Sequence, residues 1–112
     1  MDHQPTEIKL RTKSRQIDVD FSDGKHFELP FEYLRVHSPS AEVKGHGPGQ
    51  EVLQTGKEAV GVTELQPVGH YAIRIVFDDG HDTGLYTWQY HYELGKDRPR
   101  LWQSYLDRLT VA

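Results

Sequence analysis

Apolar and polar residues alternate through two stretches of the chain, Ile17-Asp18-Val19-Asp20-Phe21 and Ile73-Arg74-Ile75-Val76-Phe77, and each stretch is followed one residue later by Asp-Gly, at Asp23-Gly24 and Asp79-Gly80. A period of two puts Ile17, Val19 and Phe21, and then Ile73, Ile75 and Phe77, on the buried face of a β-strand. The Asp-Gly pairs supply the positive backbone angles of hairpin turns. Leu29 and Leu85 recur in the segments that return from those turns. The pattern therefore predicts two β-hairpin-plus-helix pseudo-repeats whose six apolar strand residues share one core.

The rest of the pattern fills in around them. Strands are expected near 7–13, 16–22 and 25–29, forming a meander. Pro30 suits the first turn of a short helix in which Phe31, Leu34 and the stem of Arg35 share a face, and Pro39 limits its length. Ser38 to Gly61 reads chiefly as a long loop with a turn of helix around Ala41 to Lys44. Strands return at Gly61 to Gln66 and Tyr71 to Phe77, the latter apolar enough on its second face, through Ala72 and Val76, to be central. Thr87 is the expected N-cap of a helix ended by Gly95. Asp97 opens a last helix carrying Leu101, Trp102, Tyr105, Leu106 and Leu109 at spacings of three and four. The expected fold is α+β, a mostly antiparallel sheet of five to six strands with helices on one side. Residues 1–5 form a tail, and 6–112 form one domain.

Composition narrows the classes. The 112 residues are 36% apolar and include six Tyr, four Phe and two Trp, enough for a two-layer core. The chain has no cysteine, so it builds neither a disulfide framework nor a thiolate metal site, and a cytoplasmic location is expected. No apolar run approaches the roughly 20 residues of a membrane span. A formal charge of -4 argues against a nucleic-acid binder. The local exception is Ile8 to Arg15, where Lys9, Arg11, Lys13 and Arg15 would line one face of a strand. That face is either a solvated edge that resists pairing or a site for an acidic partner or anionic ligand.

Candidate chemistry gathers between Leu34 and Gly49. Arg35, His37, Ser38, Ser40, Lys44, His46 and glycine-exposed N–H groups are donors of the kind an anion site needs, although no phosphate-loop spacing is present. Ser38 and Ser40 near His37 and Glu42 contain the atoms of a catalytic triad, yet sequence neighbours on a loop rarely face one another as a triad requires. His37, His46, His70, His81 and His91 show no metal-ligand spacing. Asp78, Asp79 and Asp82 form an acidic turn without a calcium-loop pattern.

The run Leu34 to Gln50, with Phe77-Asp78-Asp79-Gly80-His81 and Tyr86-Thr87-Trp88, resembles the gamma-butyrobetaine hydroxylase-like N-terminal domain family over about residues 6 to 95. In carnitine-pathway dioxygenases such a domain precedes an iron- and 2-oxoglutarate-dependent catalytic domain, and the resemblance implies here a stand-alone accessory domain of bacterial type without that activity. Similar domains joined to P-loop ATPases of the iron–sulfur carrier type imply a protein-interaction role in cofactor assembly. The resemblance also implies a zinc site in the dioxygenases, with three cysteines and a histidine. Those positions fall on Ser38, Ser40, Val43 and His81, so three of the four ligands are replaced. The expectation is a domain with no catalytic residues, metal or cofactor. Its partner is a protein rather than a nucleic acid or membrane, bound through a patch of Arg35, His37, Ser38, Ser40, His46 and His81. The competing expectation is a small metal- or anion-binding enzyme using Arg35, His37, His46 and His81.

Overall fold

The computed structural model describes residues 4–44 and 52–111. Strands β1 (Pro5–Arg11), β2 (Gln16–Phe21) and β3 (His26–Pro30) form an antiparallel meander that runs directly into helix α1 (Phe31–Val36). One turn of helix, α2 (Ala41–Lys44), follows. Strands β4 (Val62–Val68), β5 (Ala72–Phe77) and β6 (Leu85–Thr87) form a second antiparallel meander, and helices α3 (Trp88–Lys96) and α4 (Arg98–Val111) close the described chain.

The expected single sheet is thus two three-stranded sheets. Each meander turns from its last strand straight into a helix, at Pro30 and at Thr87, so neither continues into a strand that would bridge to the other. The sheets meet instead through side chains. Ile17, Val19, Phe21 and Leu29 from the first pack in one cluster with Val62, Ile73, Ile75, Phe77 and Tyr86 from the second, together with Phe31, Tyr33, Leu34 and Leu94 from the helices. All six of the alternating strand residues lie in this core, and β5 is the central strand of its sheet.

The two Asp-Gly turns are built alike. Gly24 and Gly80 have φ of 88° and 91°. The N–H of Phe21 donates to Lys25 O at 2.9 Å, and that of Phe77 to His81 O at 3.0 Å. In each, the aspartate side chain accepts from the N–H two residues on, Lys25 at 3.0 Å and His81 at 3.2 Å. This local geometry places His81 immediately beside the end of β5, pointing its ring into the interior, where the residue is 4% exposed.

Three boundaries differ from expectation for physical reasons. β1 begins at Pro5 and ends at Arg11, so Lys13 and Arg15 lie in the turn rather than on a basic strand face. Arg15, at φ 57°, reaches across to the Val60 carbonyl and stacks over Phe31. Gly95 does not end α3; it lies inside the helix, where the Phe27 ring occupies the space a Cβ would take. The helix stops two residues later at Asp97, whose N–H still bonds Glu93 O. Thr87 caps the start as expected, its hydroxyl accepting from the Tyr90 N–H at 3.0 Å.

Candidate functional site

The short α1–α2 segment is carried over the β5–β6 turn, and there Ser38, His81 and Glu42 form a relay. Ser38 Oγ stands 2.8 Å from His81 Nε2, and His81 Nδ1 stands 3.0 Å from Glu42 Oε2. Burial and the nearby Arg35 cation lower the His81 pKa, against the opposing pull of Glu42, so the imidazole is neutral near pH 7. Because a carboxylate only accepts, Nδ1 carries the proton and Nε2 accepts the Ser38 hydroxyl hydrogen. These are the contacts and the tautomer of a nucleophile, base and orienting acid.

The surroundings decide what the relay can do. Ser38 is fully buried, and Gly84 backs onto it so closely that a Cβ at Gly84 would overlap the hydroxyl. The same oxygen accepts from the Ser40 N–H at 3.2 Å. Ser40 Oγ pairs with Thr83 Oγ1 at 2.7 Å and accepts from the Glu42 N–H at 3.2 Å, pinning the start of α2 to the segment after His81. With its hydroxyl engaged by His81 and the Ser40 N–H and backed by Gly84, Ser38 is hindered as a nucleophile toward a carbonyl carbon, while the residue also borders a cavity beside α2.

Below the relay, Asp79 gathers charge. Arg35 Nε donates to Asp79 Oδ2 at 2.9 Å and Lys57 Nζ to the same oxygen at 2.7 Å, while Arg35 Nη1 reaches Gln54 Oε1 at 3.1 Å. Burial pulls the Asp79 pKa up, but the hydrogen bonds from Lys57, the His81 N–H and Arg35 outweigh it and hold the carboxyl at about 2. Arg35 is itself 7% exposed, so this group ties α1 and the segment containing Gln54 and Lys57 to the second Asp-Gly turn.

Of the residues singled out from sequence, Arg35, Ser38, Ser40 and His81 are brought together. His37 is not part of the relay: its Nδ1 donates back to Tyr33 O at 3.0 Å, its ring packs on Tyr33, and its carbonyl accepts from Tyr90 Oη at 2.6 Å. His46 lies outside the described residues. His70 is exposed, and His91 is wholly buried on α3 with Nδ1 donating to Thr87 O at 2.9 Å. Sequence reasoning set Glu42 beside His37 rather than His81 and missed Thr83 and Gly84. They meet Ser38 and His81 only through folding, since the relay joins positions 39 and 43 residues apart.

The zinc implied by the resemblance does not fit these residues. Two donors on one tetrahedral zinc stand about 3.4 Å apart, whereas Ser38 Oγ and His81 Nε2 touch at 2.8 Å through a shared hydrogen. Val43 is buried and offers no donor. Elsewhere among the described residues, Asp18, His26 and Glu28 bring possible ligand atoms within 4.8 Å on the first sheet. Asp18 is there already paired with Arg11 and Gln16, and His26 with Asp20 at 2.5 Å.

An α+β domain of two packed meanders, with a serine–histidine–carboxylate clasp under its second turn, is the class these features define. The model of the gamma-butyrobetaine hydroxylase-like N-terminal family matches residues 8–92, and the chain belongs to that family. Two proteins with NMR solution structures are similar to it. One is 49% identical over 98% of this chain and 82% of its own, with a TM-score of 0.84; the other is 46% identical over 96% and 85%, with a TM-score of 0.83. A crystal structure of a protein of unknown function from Acidithiobacillus ferrooxidans, of the DUF971 family, is 44% identical over 82% of this chain and 92% of its own, with a TM-score of 0.69. No curated protein matches.

Proposed function

We propose that this domain is a non-catalytic accessory module that binds a protein partner through the face formed by α2 and the segment after the second Asp-Gly turn. The observation that carries this reading is the burial of Ser38, 0% exposed with its hydroxyl against Gly84, which holds a triad's hydrogen bonds in the interior of the domain. Arg35, Ser38, Ser40 and His81 then serve as the frame, and the exposed Ala41, Glu42, Lys44 and Thr83 form the contact surface above it. The same reading takes the two meander-plus-helix units as pseudo-repeats, the second having turned its aspartate to holding Arg35 and Lys57. Resemblance to domains joined to iron–sulfur carrier ATPases makes a cofactor-assembly protein the partner class to try first, in the cytoplasm of a bacterium.

Ala41→Arg tests it, because Ala41 is exposed and its side chain makes none of the frame's hydrogen bonds. The full chain, tagged and recovered from its native cell, should lose its partner at an unchanged melting temperature, since exposed substitutions usually cost less than about 0.5 kcal/mol. Retention of the partner by this variant would overturn the proposed face.

A further inference from the structure

A second feature adjoins the α1–α2 segment, between α2, the stretch Val52 to Gln54, and helices α3 and α4. It is a cavity of about 90 Å³ whose wall includes His37, Ser38, Lys44, Tyr90 and Arg108. That is room for a handful of waters or one small molecule. Val43, Val52 and Leu53 make much of the remaining wall apolar. No carboxylate is among the described residues that line it. Tyr105 also lines the cavity, and its hydroxyl donates to Glu32 at 2.9 Å.

We propose that this cavity binds a short-chain monocarboxylate, its charged end held by Lys44 and Arg108 and its aliphatic end against Val43, Val52 and Leu53. Two cations from different helices facing one small space repel each other unless an anion joins them, and a planar guanidinium beside an ammonium is a carboxylate-binding pair. The Lys44 ammonium already stands over the Tyr90 ring, 4.8 Å from its centroid, so it is held at the wall. His37 reports the same field: burial, together with Lys44 and Arg108, lowers its pKa against the favourable Tyr33 carbonyl. With Nδ1 donating to that carbonyl, Nε2 is the bare nitrogen of the neutral ring, able to donate to an anion if it takes up a proton. The apolar wall selects against a bare inorganic anion, which would leave Val52 and Leu53 against its hydration shell.

The test is titration of the isotope-labelled full chain by NMR at constant ionic strength, with butyrate, butyramide and inorganic phosphate as probes. Butyrate should give saturable shifts at Tyr90, Leu53 and the His37 ring, and Lys44→Gln with Arg108→Gln should weaken it at least tenfold. Both positions are exposed, so the fold is kept, which the unperturbed remainder of the spectrum verifies. Butyramide, which keeps the shape and lacks the charge, should bind at least tenfold more weakly, as should phosphate, which lacks the tail. A chain terminus offers the same chemistry. In a separate arm a short peptide ending in a valine carboxylate is compared with butyrate, tighter binding by either identifying the source of the carboxylate. Absence of saturable shifts with both carboxylates, equal binding by the double variant, or equal binding of butyramide or phosphate overturns the proposal. All of these readouts are taken on the chain alone, so none requires a protein partner to bind, although Lys44 also belongs to the proposed face.

Discussion

Replacing Ser38 by Ala removes a few atoms from a site where they satisfy two buried groups. Without the hydroxyl, His81 Nε2 loses its donor at 2.8 Å and the Ser40 N–H loses its acceptor at 3.2 Å, both in a region closed over by Gly84. A buried polar group left unsatisfied costs about 1–3 kcal/mol. His81 keeps its bond to Glu42, and the Ser40 N–H bond is the longer of the two at 3.2 Å, so a combined loss of about 2–3 kcal/mol is expected for Ser38→Ala. Unfolding entropy of about 2.1 cal/mol/K per residue makes 1 kcal/mol worth about 4 °C in a chain of this size, so the melting temperature should fall by about 8–12 °C. Calorimetry and chemical denaturation of the variant provide the check. The partner experiment is His81→Leu alone and with Ser38→Ala, whose combined cost should be smaller than the two single costs added, because each single variant already breaks the shared bond. A Ser38→Ala variant within about 0.5 kcal/mol of the parent, or strict additivity in the cycle, would refute the clasp.

Other expectations follow from the same coordinates. Phe77→Ala should cost about 3–5 kcal/mol, because Phe77 is 2% exposed at the junction of both sheets; denaturant midpoints at constant slope measure it. Arg35→Ala should cost about 2–3 kcal/mol, since a charged hydrogen bond and its buried partners are lost, and it should also raise the Asp79 pKa from about 2, visible by carboxyl NMR titration. His91 is wholly buried, and burial, opposed by the Thr87 carbonyl, lowers its pKa from 6.5 to about 4. The unfolded chain therefore binds a proton there that the folded chain refuses, and about 3 kcal/mol of stability present above pH 6.5 should be lost as pH falls to about 4. His91→Leu should flatten that dependence; an unchanged slope between pH 7 and 4 would remove His91 as its source.

Much of the fold was legible because it rests on local rules. The alternation at Ile17 to Phe21 and Ile73 to Phe77, the two Asp-Gly turns, the Thr87 cap and the single helical turn at Ala41 to Lys44 each need only a few neighbouring residues, and each is present. What failed depended on distant contacts. Gly95 looks like a helix terminator until the Phe27 ring is found lying on it, and the strand pattern does not tell whether two meanders share hydrogen bonds or only side chains. The site divides the same way. The turn geometry carries His81 inward, but its pairing with Glu42 rather than His37 is set by where α2 lands. The covering of Ser38 by Gly84 reads in sequence as one more loop glycine.

Whether the serine–histidine–glutamate relay is a clasp or a catalytic centre is settled most directly by challenging the folded full chain with a fluorophosphonate probe and mapping adducts by mass spectrometry. A buried Ser38 should remain unmodified, in the parent and in His81→Ala alike, under conditions where a control serine hydrolase is fully labelled. A stoichiometric adduct on Ser38 that disappears in His81→Ala would show an accessible, activated nucleophile and contradict the account.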